Sequence, residues 1–142
     1  MTPTDDELSG RTPRVLLVDD DQENRSALRE LLELEGIDVV GEAPDGTRGF
    51  ALAVALDPDV VLMDLRMPEL SGIEATRLIR EACPRTQVVI LTYYEGPLPE
   101  RSAEQVGAFA YLVKGCSPAF MRQVIHQACH RAEQHRSSAA GS

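Results

Sequence analysis

Three consecutive aspartates (Asp19-Asp20-Asp21), a fourth at Asp64, a hydroxyl at Thr92 and an ammonium at Lys114 are the side chains of this 142-residue chain that could act together. Each group directly follows a short apolar run, ending at Val18, Met63, Leu91 and Val113. Alone, each has an ordinary use. Aspartates before a helix cap it and offset its dipole, a threonine makes a local turn, and a single lysine is a solvated charge. Asp21 keeps the capping role. Gathered at one rim, the others need compensation. Two like charges about 4 Å apart repel by roughly 4 kcal/mol at an effective dielectric of ~20, so Asp19, Asp20 and Asp64 cannot crowd together unaided. Lys114 offsets one charge. A hard divalent cation offsets the remaining two, and an all-oxygen site that keeps its waters favours Mg2+, with Mn2+ as a substitute. Mg2+ on few carboxylates typically bridges to phosphate oxygens, so the metal predicts a phosphoryl partner, with Thr92 and Lys114 holding its other oxygens.

A parallel sheet would gather these residues. The apolar runs at 15–18, 37–40, 60–63, 88–91 and 110–113 are short and mostly β-branched or aliphatic, as strands covered on both faces are. Helical spacing fills the gaps. Residues 22–35 carry Leu28, Leu31 and Leu32 on one face and stop at Gly36. Residues 46–56 end before Asp57-Pro58, and 73–83 end before Pro84. A last helix begins at Ser117-Pro118 and carries Met121, Val124, Ile125, Ala128 and Ala132, with His126, His130 and His135 on its solvated face. In the fourth segment two prolines crowd the first turn, which predicts a late start near Pro99 and an end near Val106.

Five strands alternating with five helices make an α/β domain, a flavodoxin-like (βα)5 doubly wound parallel sheet. The second run, broken by Asp38, and the fifth, with Ala110 and Tyr111, suit edges, which the strand order 2-1-3-4-5 satisfies. Ligands of such a sheet bind outside the carboxyl ends of the strands, at the switch point between strands one and three. Four of five strand ends deliver polar groups there. The second ends in Glu42-Ala43 and adds none.

Composition narrows the rest. The formal charge of −9, from 23 acids and 14 bases, argues against a nucleic-acid face made by this chain alone and against an anionic membrane surface. No apolar run approaches the roughly 20 residues of a bilayer span, and the polar start is unlike a signal peptide, so a soluble, cytoplasmic protein is expected. Cys83, Cys116 and Cys129 are odd in number and widely spaced, which fits a reducing compartment and ordinary packing. Residues 1–13 and 135–142 read as flexible tails around one domain over 14–134.

Taken together, Leu17-Val18-Asp19-Asp20, Val61-Leu62-Met63-Asp64-Leu65-Arg66-Met67-Pro68, Ile90-Leu91-Thr92 and the run from Gly107 to Lys114 resemble the receiver domain of bacterial two-component response regulators. The likeness covers about residues 13–133. It implies that Asp64 is the phosphoacceptor, taking a phosphoryl group from a phosphohistidine on a sensor histidine kinase or phosphotransfer protein. It also implies that Asp20 binds Mg2+ directly, Asp19 mainly through water, and that Asp64 and the backbone carbonyl of Arg66 complete the protein ligands. Thr92 would hydrogen-bond the phosphoryl group and Lys114 pair with it. Movement of Thr92 would let Tyr111 turn inward and remodel the face of the fourth helix, fifth strand and fifth helix. The protein is then its own substrate, a signalling module that turns over no separate one, and its output is protein contact: a relay partner, a downstream target or a homodimer.

Some residues depart from the family pattern. Tyr93 stands where a small residue is usual, and Tyr94 follows it. Gly115 replaces the proline common after the lysine, as in receivers that precede LuxR-type DNA-binding domains, so a receiver portion of such a transcription regulator is the alternative reading. A haloacid-dehalogenase-like phosphatase would need an acid where Arg66 stands. A flavodoxin phosphate loop would be repelled by Asp19-Asp20-Asp21, and no glycine-rich nucleotide fingerprint follows any strand.

Overall fold

The computed structural model describes residues 12–65, 70–92 and 97–140. Its elements alternate without exception: β1 (Arg14–Val18), α1 (Gln22–Leu34), β2 (Asp38–Ala43), α2 (Gly46–Leu56), β3 (Val60–Met63), α3 (Gly72–Ala82), β4 (Gln87–Thr92), α4 (Pro97–Gln105), β5 (Ala110–Val113) and α5 (Pro118–Ala140). The strands form one parallel sheet in the order β2-β1-β3-β4-β5, as the sequence predicts. Along β1 the side chains alternate between two cores. Val15 and Leu17 pack with Leu32 of α1 and with Met121 and Ile125 of α5. Leu16 and Val18 face Ala53 of α2 and Ala75 and Ile79 of α3. β3 and β4 are buried at every residue, which is why both read as unbroken apolar runs.

Several boundaries differ from the sequence reading, each for a local reason. Strand β2 begins at Asp38 because the Ile37 N–H still bonds the Leu32 carbonyl at 2.9 Å, closing α1, and pairing with β1 continues to Ala43 opposite Val18. Helix α4 begins at Pro97, not near Pro99. Both prolines fit because the first four N–H groups of a helix have no intrahelical partner, so their absence at the first and third positions leaves no bond broken. Helix α5 runs through Ala140, past the boundary at 135 expected from composition. His126 is buried, 1% exposed, rather than solvated, because the buried arc of α5 widens beyond the single apolar stripe; His130 is half-buried and His135 exposed. All three cysteines are free thiols. Among the described residues no helix is long and apolar enough to cross a membrane.

Candidate functional site

Each strand end reaches the rim because the residue after it breaks out of the ladder while its backbone remains tied. The Asp19 N–H donates to the Ala43 carbonyl at 3.0 Å and the Asp64 N–H to the Val18 carbonyl at 2.9 Å, so the ends of β2, β1 and β3 are stitched in line. The Lys114 N–H donates to the Thr92 carbonyl at 2.6 Å, joining the ends of β5 and β4 in the same way. Opposite Asp64 the N-terminus of α3 comes in closely. A Cβ on Gly72 would lie 2.1 Å from the Asp64 carbonyl oxygen, so only glycine allows this approach. Ser71 caps α3 by accepting from the Glu74 N–H, and Asp21 caps α1 by accepting from the Glu23 and Asn24 N–H groups at 2.9 and 3.2 Å.

The rim assembles Asp19, Asp20, Asp64 and Lys114. The three aspartates each present a carboxylate oxygen within 4.8 Å of the others, Asp19 and Asp64 buried and Asp20 exposed. Lys114 Nζ lies 2.9 Å from Asp19 Oδ2 and 3.7 Å from Asp64 Oδ1, bridging strands β1 and β3. Asp19 is held twice, since its Oδ1 also accepts from the Asp21 N–H at 2.9 Å. Thr92 is buried as the last residue of β4, 2% exposed. Tyr111 lies in β5 opposite Ile90, half-buried against the α2–α3–α4 core, and lines a cleft of about 170 Å³ with Ala103 and Ala108. Arg66, Tyr93 and Tyr94 fall outside the described residues.

Charge arithmetic supports a cation here. Three carboxylates against one ammonium leave two negative charges in a largely buried space. Oxygens bound to one Mg2+ lie about 3–4 Å apart at its usual bond length, so a set spanning up to 4.8 Å suits a site in which some contacts run through water. Carboxylate oxygens without a nitrogen or sulfur donor fit Mg2+ or Mn2+. A cleft of about 270 Å³ opens beside the cluster, between Leu28 and Leu31 of α1 and Cys116 and Met121, and reaches Asp19 and Lys114.

One part of the site carries no sequence signal. Arg25 of α1 donates to the Asp19 carbonyl at 2.5 Å and pairs with Glu42 of β2 at 3.2 Å. Glu42 also takes Arg29 at 2.6 Å. The end of β2, which the sequence reading leaves idle, therefore anchors an arginine behind the aspartate pair.

Comparison with known proteins finds similar sequences and similar folds. A family model for the response regulator receiver domain matches residues 15–126. Response regulator GacA of Pseudomonas aeruginosa is 43% identical over 116 residues, covering 80% of this chain and 54% of the relative. Transcriptional regulatory protein LiaR of Bacillus subtilis is 38% identical over 129 residues, covering 90% and 61%. The chain thus spans little more than half the length of the curated relatives it matches. Among solved structures, a LuxR-family two-component response regulator from Aurantimonas sp. SI85-9A1 superposes with a TM-score of 0.80 at 37% identity, covering 84% of this chain and 86% of that one. The signal receiver domain of the NarL response regulator from Mycobacterium tuberculosis gives 0.75 at 30% identity, covering 87% and 98%.

Proposed function

This chain belongs to the response regulator receiver domain family, and from that premise we propose that it is switched by a phosphoryl group placed on Asp64. The Asp64 carboxylate attacks the phosphorus of a phosphohistidine on a sensor histidine kinase or phosphotransfer protein. An O–P bond forms, the P–N bond breaks, and the donor imidazole leaves. With its backbone tied to Val18, Asp64 is fixed for this attack, and little beyond positioning and charge neutralisation is required of the protein. Lys114 pairs with the incoming phosphoryl oxygens and Thr92 donates a hydrogen bond to them. Asp20 directly, Asp19 mainly through water, and Asp64 with the Arg66 carbonyl would hold Mg2+ (or Mn2+), which would supply the positive charge that lets a phosphoryl anion approach an acidic rim.

The switch follows from the same contacts. Thr92 moves toward the phosphoryl group, Tyr111 turns inward beside α4, and the face of α4, β5 and α5 changes its fit to a protein partner, a downstream target or a second copy of this chain. The cleft of about 170 Å³ beside Tyr111 supports this reading, since it gives the ring somewhere to go. On this account the protein is its own substrate and works in the cytoplasm, where its donor is made. A second reading, that the chain is the receiver portion of a LuxR-type DNA-binding regulator, is favoured by Gly115 after Lys114 and by relatives such as LiaR that are named as transcriptional regulators. The length of the native reading frame decides between the two.

The observation that carries the proposal is the Lys114 bridge between Asp19 and Asp64 within a three-carboxylate cluster. Incubation with Mg2+ and acetyl phosphate, followed by intact mass spectrometry, is expected to add one phosphoryl group to the wild type and none to Asp64→Asn. Removing Mg2+ with a chelator is expected to abolish the addition. Labelling that survives in Asp64→Asn refutes the assignment.

A further inference from the structure

Within the metal cluster, Asp19 and Asp20 are held in different ways. The Asp19 carboxylate is fixed by the Asp21 N–H and by Lys114. Among the described residues, no hydrogen bond or ion pair reaches the exposed Asp20 carboxylate, so its position depends on its backbone. That backbone follows the peptide whose carbonyl belongs to Asp19, and this carbonyl accepts the Arg25 guanidinium at 2.5 Å. Arg25 is itself set from behind, because Glu42 of β2 takes its Nε at 3.2 Å, with the arginine side chain only 13% exposed. Bound in this way, the arginine cannot swing without breaking two charge-assisted bonds.

We propose that Arg25, anchored by Glu42, is a positioning residue that fixes the Asp19–Asp20 peptide and so sets how tightly Asp20 and its neighbours hold a divalent cation. The inference rests on the metal reading above and deepens it. Two effects compete at this arginine. Its positive charge would repel a cation, while its hydrogen bond preorganises the ligands. Glu42 and Glu33 together balance the charges of Arg25 and Arg29 at close range, so the positioning effect wins. Groups that orient metal ligands from behind typically change affinity about 10–100-fold when removed.

Arg29 provides the control. It shares Glu42 at 2.6 Å, and it bonds the Val39 carbonyl at 3.0 Å, so it ties α1 to β2 as Arg25 does, yet none of its hydrogen bonds goes to Asp19. The experiment titrates Mn2+ alone into the full chain, with no phosphoryl donor, and reads free Mn2+ by electron paramagnetic resonance well below each variant's Tm. Arg25→Gln is expected to weaken Mn2+ binding about tenfold, and Arg29→Gln to leave it within about twofold, whatever either does to Tm. Should Arg25→Gln fail to fold, Arg25→Lys is read in its place, since it keeps the charge but replaces the two-nitrogen grip, Nε on Glu42 and a terminal nitrogen on the Asp19 carbonyl, by a single nitrogen. Equal weakening in the Arg25 and Arg29 variants, or no weakening in the Arg25 variant while wild type binds, overturns the inference alone. Absence of Mn2+ binding to wild type overturns the metal reading and the inference with it.

Discussion

Asp20 and Asp21 are neighbours in the chain with different work. The Asp21 carboxylate is spent on the N-terminus of α1, where it accepts two backbone N–H bonds. Asp20 turns to the rim and meets Asp19 and Asp64. Asp21→Ala therefore removes a cap, expected to cost about 1 kcal/mol of stability, with Mn2+ affinity little changed. Asp20→Ala is expected to leave the Tm near that of wild type and to weaken Mn2+ binding strongly. Thermal melts alongside a metal titration check both, and equal effects on affinity would mean the acids are misassigned. The placement of each aspartate was legible in the sequence because the residue types and the end of the apolar run at Val18 fix which aspartate follows the strand and which precedes the helix. The role of Arg25 was not legible. Its partners are Asp19, six residues back and before α1 begins, and Glu42 seventeen residues away, and nothing in local spacing joins them.

At the scale of elements, the rim depends on helices being allowed to come close. Helix α3 meets Asp64 at Gly72, where an added methyl would lie 2.1 Å from the Asp64 carbonyl oxygen and 2.8 Å from Leu65 Cα. Backbone cannot yield as a flexible side chain can. Gly72→Ala is expected to lower stability by about 1–3 kcal/mol and to slow acetyl phosphate labelling by displacing Asp64. Gly36 offers the contrast. Its φ of +78° makes alanine costly by about 1–2 kcal/mol, yet it sits at the far end of α1 with open space around it, so Gly36→Ala is expected to lower the Tm and leave the labelling rate alone. Equal slowing in both would show that labelling merely follows stability. Which strands lie at the edges was readable from run composition because central strands are apolar on both faces and edges are not, whereas the order of the inner three followed from the family resemblance. The start of α4 was not readable. A pattern with two prolines argues against a helix until one notices that both fall among N–H groups that need no partner.

Over the whole molecule, the candidate site and a buried ionic cluster occupy opposite ends of the sheet. At the amino ends of the strands Asp59 is fully buried and accepts from Arg85 at 2.7 Å and from the Arg14 N–H at 2.9 Å. The two arginines also hold the carbonyls of Leu56, Asp57 and Pro58 where α2 ends, Arg14 reaching Leu56 and Asp57, and Arg85 reaching Asp57 and Pro58. Asp59→Asn takes the buried carboxylate from Arg85 and leaves it the more exposed Asp57 carboxylate at 3.2 Å. The expected loss is about 3 kcal/mol, a Tm lower by roughly 10 °C, with labelling at low temperature retained. A loss of labelling in folded Asp59→Asn would contradict this separation of ends.

On the proposed function, the Asp64 carboxylate alone carries the phosphoryl group. Borohydride reduces an aspartyl phosphate to homoserine and leaves ordinary aspartate intact, so peptide mapping after acetyl phosphate and Mg2+ locates the modified residue directly. Homoserine is expected at position 64 and nowhere else. Homoserine at 19, 20 or 21, or a bound phosphoryl group that yields none at all, would contradict it.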